Sequence, residues 1–182
     1  MPAPNEITAK QLLKTIGTAH APLIVDLSID EDHAAYPYLI PTARRHPHTD
    51  FHGLAELIGT RRAVLVCQKG RKISQGAAAW LASVGSHAEY LAGGNLGWRD
   101  APDSLRIPAA AMRGPLWVTR HRPKIDRIAC PWLIRRFIDP GARILFVSPS
   151  EVEAVAERFG AMPFDTGTAP FTHHGDRCTF DA

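Results

Sequence analysis

The sequence predicts an α/β protein: a parallel sheet flanked by helices, followed by a small α+β C-terminal segment. Three observations carry this expectation. Two short apolar runs, Leu23-Ile24-Val25-Asp26-Leu27 and Ala63-Val64-Leu65-Val66, are continuous rather than alternating, as strands buried on both faces are. Helix-period and Ala-rich segments separate the runs at βαβ distances. The second run delivers Cys67 into a basic loop that leads to a helix, at the carboxyl edge where such sheets bind ligands.

In chain order, Ile7 to Ile16 has helical apolar spacing, with Thr8 as cap and Gly17 at its end. Leu23 to Leu27 is the first strand. Ser28 to His48, rich in Pro, His and charge, reads as loop with at most short helices. Phe51 to Ile58 is a short helix, and Arg62 to Cys67 is the second strand. Ser74 to Val84 is an Ala-rich helix closing at Gly85. Ala88-Glu89-Tyr90-Leu91 is a third strand, followed by Gly93-Gly94 and a turn of helix through Leu96 and Trp98.

Residues 1–103 are expected to form one domain, 104–115 a linker containing Pro, Ala and Gly, and 116–182 a second, partial domain. In the second, Leu116 to Thr119 is a strand and Ile125 to Ile138 a helix. Pro131 either starts that helix, with Cys130 as cap, or kinks it. Arg143 to Val147 is a strand, and Pro149 to Phe159 a helix with Ser148 or Ser150 near its cap.

Composition bounds the partners. The chain has 182 residues, 45% of them apolar, which excludes disorder as the main state. No stretch is long and apolar enough to span a bilayer, and the first residues lack a secretion signal, so a cytoplasmic protein without a membrane partner is expected. Three widely spaced cysteines suggest reduced thiols rather than a disulfide framework. Net charge is +3, and the excess lies beyond residue 103. Arg113 to Arg136 holds seven basic residues and one acid, Asp126. That stretch is either a solvated basic face or a surface for an oxyanion or acidic partner. It lacks a recognition-helix pattern, so nucleic acid is not the expected partner.

The segment Cys67-Gln68-Lys69-Gly70-Arg71-Lys72-Ile73-Ser74 carries the chemistry. A cysteine at a strand end, followed by a glycine-containing loop and a helix N-terminus, places backbone N–H groups around whatever the sulfur holds. Helix N-termini and neighbouring cations such as Lys69, Arg71 and Lys72 stabilise a thiolate. No acid occurs between Cys67 and Glu89. Cys67 is the expected nucleophile, and Gln68 to Ser74 the expected substrate cradle. Ser74 is either a helix cap or a hydrogen-bond donor within the loop.

Residues 20–100 resemble the rhodanese (sulfurtransferase) domain. The resemblance rests on Ile24-Val25-Asp26, Ile40-Pro41-Thr42-Ala43, the Cys67 loop and Leu91-Ala92-Gly93-Gly94-Asn95-Leu96-Gly97-Trp98, in that order. It implies a rhodanese-like sheet and an enzyme that needs no cofactor. In such an enzyme a cysteine persulfide carries sulfur from thiosulfate or a persulfide donor to a thiol or cyanide acceptor. Two positions depart from the family pattern. Asp26-Leu27-Ser28 stands where Asp-Val-Arg is usual, and the loop is about one residue longer, with Lys72 where an arginine is common. Related phosphatases use Cys-x5-Arg; here that arginine position is Ile73, so phosphatase activity is not expected.

Residues 114–182 resemble the C-terminal domain of ChrB-type chromate-resistance proteins. The match rests on Trp117 to Arg120, Lys124 to Phe137, Pro163-Phe164-Asp165 and His173 to Asp181. The resemblance implies a link to chromate resistance and a domain that normally extends further. An alternative follows for the whole chain: a chromate- or metal-responsive regulatory protein with a catalytically weak first domain. Arg127, Cys130, Arg135, His173, His174 and Cys178 are the candidate residues for an oxyanion or metal. Asp176 adds a ligand type, and Cys130 or His121 offers a distant fourth, but no ligand-pair spacing assigns a metal. Alternatively, Arg127, Arg135 and Arg136 form a helix face that pairs with Asp126 and Asp139. Trp132, Leu133 and Phe137 are expected in the core.

Overall fold

The computed structural model describes residues 5–109, 116–122, 124–167, 169, 171–173, 175 and 178–181. The chain divides into two compact units, Met1–Pro108 and Ala109–Ala182.

The first unit is an α/β structure with a parallel sheet flanked by helices, as expected. β1 (Glu6–Ile7) leads to α1 (Ala9–Leu13), then β2 (Leu23–Asp26), α2 (Asp30–Ala35), β3 (Tyr38–Leu39) and β4 (Arg44–Arg45). α3 (Phe51–Ile58), β5 (Ala63–Val66), α4 (Lys72–Ser83), β6 (Ala88–Leu91), α5 (Gly94–Asp100) and β7 (Ile107–Pro108) follow. The main sheet has the order β1-β6-β5-β2-β4, all pairs parallel. β3 and β7 pair separately and antiparallel. β5 sits at the centre, and every residue from Ala63 to Val66 is fully buried. Both of its faces are covered, hence the unbroken apolar run. The core joins Val25, Leu27, Leu54, Ile58, Leu65, Ala77, Ala78 and Leu81, so helices α3 and α4 close over the strands.

The first helix is shorter than its periodicity suggests. Ile7 belongs to strand β1, in register with Leu91. Thr8 caps α1 in a reciprocal box with Gln11, which starts the helix after Ile7. Helix α4 begins at Lys72, two residues before the expected Ser74. The expected connector contributes β7, whose Ile107 faces Leu39.

The second unit contains β8 (Leu116–Arg120), α6 (Ile125–Leu133), β9 (Arg143–Val147), α7 (Val152–Phe159) and β10 (Met162–Pro163). Its sheet has the order β10-β8-β9, again parallel. Val118, Val152 and Ala161 form its packed centre, with Trp117 and Phe164 also fully buried. Pro131 neither starts nor ends α6 but lies inside it. Lacking an N–H, it cannot donate to the carbonyl four residues back, and the chain continues as a π-helical turn over Ile134–Ile138. The buried stripe of this segment is Arg127, Cys130, Pro131, Ile134 and Ile138. Trp132 is therefore not core: it is 57% exposed and stacks on Phe180.

Candidate functional site

Strand β5 ends at Val66, and Cys67 follows as a buried residue at the base of the loop. The loop is locked against the start of α5 by two close backbone approaches. Gly70 has φ +62°, and a Cβ there would lie 2.3 Å from the Leu91 carbonyl oxygen and 2.6 Å from Gly94 N. Gly94 has φ +60°, and a Cβ there would lie 2.0 Å from the Cys67 oxygen. Only glycine meets both the left-handed backbone and the contact distance.

These approaches determine which way the loop's peptide planes face. Asn95 N donates to the Cys67 carbonyl at 3.0 Å, and Leu96 N to the Gln68 carbonyl at 3.0 Å. Gln75 donates from Nε2 to the Gly70 carbonyl at 3.1 Å and from its backbone N to the Arg71 carbonyl at 2.9 Å. In a trans peptide the N–H points opposite to the C=O, and no peptide bond here is cis. The amides of Gln68, Lys69, Arg71 and Lys72 therefore turn away from those carbonyl partners. Among the described residues, no backbone amide from Gln68 to Ser74 donates to a protein acceptor. Unmet donors around a cysteine, with the N-terminus of a twelve-residue helix behind them, suit an anion held on the sulfur.

The side chains sort into two groups. Ser74 is fully buried, and its Oγ lies 3.1 Å from Cys67 Sγ and 3.4 Å from the Arg71 carbonyl. It stands in the first turn of α4 and does not cap it; the N-cap is Arg71, with no side-chain bond. Ile73 packs against the core. Lys69, Arg71 and Lys72 are exposed and form no ion pair among the described residues. Gln68 is half-buried.

Behind the loop, Asp26 is buried and accepts from Ser28 N at 2.8 Å and Asn95 Nδ2 at 3.1 Å. Asn95 also donates to Ser28 Oγ at 3.2 Å. Asp26 is thus a structural strap between β2 and α5. Arg45, which sequence reasoning passed over, donates to the Ser28 carbonyl at 3.0 Å and pairs with Asp30 at 2.8 Å. A cavity of about 400 Å3 opens there, lined by Ser28, Asp30, Arg45, His46 and His48 among others; Cys67 is not in its wall. His33 is held below the usual histidine range, chiefly by burial and then by Arg45, with Asp26 and Asp30 opposing.

In the second unit, Arg127, Cys130 and His173 each interact with Asp126 or Asp165, and Cys178 lies within electrostatic reach of Cys130, whereas Arg135 turns to another carbonyl. Arg127 is buried and pairs with Asp165 at 3.6 Å. Arg135 is exposed on the π-helical turn and donates to the Ala142 carbonyl at 3.1 Å. Cys130 is buried, and its thiol is pushed up to about 12 by burial first, then by Asp126, Asp165 and Cys178. Cys178 is half-buried, and His121 is exposed at the end of β8. His173 meets Asp126 and Asp165. His174 and Asp176 lie outside the described residues. Sequence reasoning missed Asp165 as the centre of this unit. Its signal in the sequence was its place in the Pro163-Phe164-Asp165 match, where it was not taken as a candidate ligand.

Residues 117–182 match the family model described as ChrB, C-terminal domain. The curated Protein ChrB of Cupriavidus metallidurans is 45% identical over 69 residues, which are 38% of this chain and 20% of that protein. The chain thus spans about a fifth of that relative, and the family-model match lies within the second unit. The other part of the chain is similar to rhodanese-like structures. A rhodanese-like domain protein from Staphylococcus aureus is 24% identical, covering 54% of this chain and 94% of that one, with TM-score 0.47. A thiosulfate sulfurtransferase from Pseudomonas aeruginosa is 22% identical, covering 59% and 20%, with TM-score 0.48. A rhodanese-related protein from Thermoplasma volcanium is 15% identical, covering 57% and 97%, with TM-score 0.46. These likenesses are distant; the fold itself is read from the sheet order and register given above.

Proposed function

We propose that the first unit is a rhodanese-type sulfurtransferase working through Cys67 in a ChrB-type chromate-resistance context. The observation that carries this reading is the Cys67 loop: carbonyls tied back, amides unmet, Ser74 Oγ against the sulfur. The Cys67 thiolate attacks the outer sulfur of thiosulfate. A new S–S bond forms, the bond to the sulfonate sulfur breaks, and sulfite leaves with the electron pair. The resulting persulfide anion is held by the amides from Gln68 to Ser74. An acceptor thiolate or cyanide then takes the terminal sulfur, and Cys67 returns as thiolate. No general base is needed, in keeping with the loop's lack of a carboxylate. Exposed Lys69, Arg71 and Lys72 draw the anionic donor. Ile73 argues against a phosphatase, because it stands where the phosphate-binding arginine would be and packs into the core.

The test is intact and peptide mass spectrometry after thiosulfate exposure. The expected result is an addition of about 32 Da on Cys67, absent from Cys130 and Cys178 and absent from Cys67→Ser. Full sulfur-transfer turnover by Cys67→Ser would sink the mechanism.

A further inference from the structure

The ChrB-type unit holds a second constellation, built from residues of three separate segments. Asp126 lies in the first turn of α6, Asp165 just beyond β10, and His173 further on. One ligand-capable atom from each falls within 4.8 Å of the others. Asp165 is 4% exposed and adopts φ +52°, a left-handed conformation uncommon outside glycine.

The hydrogen bonding sets the state of the imidazole. Thr179 has one hydroxyl proton, and it donates this to Asp165 Oδ1 at 3.0 Å. The Thr179 oxygen also meets His173 Nδ1 at 3.1 Å. With its proton spent on the carboxylate, the hydroxyl must accept there, so Nδ1 carries the N–H. His173 Nε2 then faces Asp126 Oδ2 at 3.4 Å. A bare imidazole nitrogen and a carboxylate oxygen are both acceptors, so a positive charge belongs between them: a proton or a metal ion.

A second observation favours a ligand larger than a proton. Arg127 is buried and directs Nη1 to Asp165 Oδ2, yet among the described residues its Nε has no partner. Arg120 Nη2 reaches the same oxygen at 3.2 Å, and its buried Nε is also unpartnered, as is Thr166 Oγ1. Buried donors rarely go unmet in a finished site. Two of these donors belong to the guanidinium groups that hold Asp165 Oδ2.

We infer that Asp126, Asp165 and His173 form a binding site for a first-row divalent transition-metal ion, with His173 Nε2 turned to Asp126 Oδ2. Asp165 is held on both oxygens, Oδ2 by the two guanidinium groups and Oδ1 by the Thr179 hydroxyl. Thr179 plays the orienting role that a hydrogen-bonded partner plays for most metal-bound histidines. One imidazole nitrogen with two carboxylate oxygens suits a borderline ion such as Zn²⁺ better than the hard Ca²⁺ or Mg²⁺. His173 is exposed, so the ion keeps open positions toward solvent. The orphaned donors supply partners for the water or anion that fills them. Cys130 does not belong to the group of ligand atoms that lie within 4.8 Å of one another.

The test uses the full chain, freed of metal with a chelator and titrated calorimetrically with Zn²⁺ in excess Mg²⁺. The expected result is one equivalent bound, weakened at least about tenfold in both His173→Ala and Asp126→Asn and unchanged in Cys130→Ser and Cys178→Ser. Co²⁺ absorption of the wild type should lack a sulfur-to-metal charge-transfer band. His173 is exposed, so its alanine variant should fold; far-UV circular dichroism verifies this. Absence of stoichiometric binding, equal affinity in His173→Ala, or loss of binding in either cysteine variant would each overturn the site. A Cys67→Ser background keeps this result separate from the sulfur chemistry.

Discussion

Replacing Gly70 with alanine should damage both the fold and the loop chemistry, and the structure sets the scale. The new methyl carbon would lie 2.3 Å from the Leu91 oxygen, 2.6 Å from Gly94 N and 2.8 Å from Gly93 N, all backbone atoms that cannot rotate aside. The backbone at φ +62° adds a left-handed penalty of about 1–2 kcal/mol. Forced overpacking adds about 1–3 kcal/mol, so the total is about 2–5 kcal/mol. Gly76, six residues along in α4, is the matched control. A Cβ there meets nothing within 4 Å, so Gly76→Ala should stabilise by about 0.5–1 kcal/mol. Urea denaturation of both variants measures the difference, and thiosulfate loading of Cys67, followed by mass, reports on the loop. Gly70→Ala should load poorly even under conditions where it remains folded. A Gly70→Ala protein within about 0.5 kcal/mol of wild type and loading normally would refute the close approach and the cradle built on it.

Two further outcomes follow from the buried polar groups. Ser74→Ala removes the hydroxyl 3.1 Å from Cys67 Sγ. A hydrogen bond to a charged sulfur is worth about 1.5–3 kcal/mol, so sulfur transfer should slow roughly 10–100-fold with little loss of stability. An unchanged rate in a stopped assay would remove Ser74 from the mechanism. For Cys130, burial raises the folded thiol to about 12 from 9.0. Stability from the neutral thiol is complete below pH 9 and is lost as pH rises from there toward 12. Denaturation from about pH 8 to about pH 10.5 should therefore show a flatter alkaline decline in Cys130→Ala than in wild type. Equal slopes would mean that Cys130 is not the titrating group.

Legibility in the sequence followed the range of the interaction. Leu23–Asp26, Phe51–Ile58, Ala63–Val66 and Ala88–Leu91 were readable because their own apolar runs are what the core buries. Ile7 was read as the first position of a helix because its spacing to the apolar residues that follow fits a helical period. Only the backbone pairing of Glu6 and Ile7 with Tyr90 and Leu91 makes those two residues a strand. Cys67 and its loop announced themselves as chemistry, but the contact with Ser74 depends on where α4 begins. The buried side of α6 was misjudged at Trp132 because an Arg and a Cys, not the large apolar residues, lead the inward stripe. The members of the Asp126, Asp165 and His173 group fall in three separate stretches of the ChrB-type resemblance, and of them only His173 was a candidate ligand. They meet only after three segments fold together, so no local spacing encodes the group.

The tie between the Cys67 loop and α5 bears on how this protein could change over evolutionary time. The peptide planes of the loop are held by Asn95 and Leu96, far downstream in the chain. The cationic side chains at positions 69, 71 and 72 stand outside that tie and pack against nothing in the core. Variation can therefore work on those three positions while the polarity of the loop beneath them stays inherited.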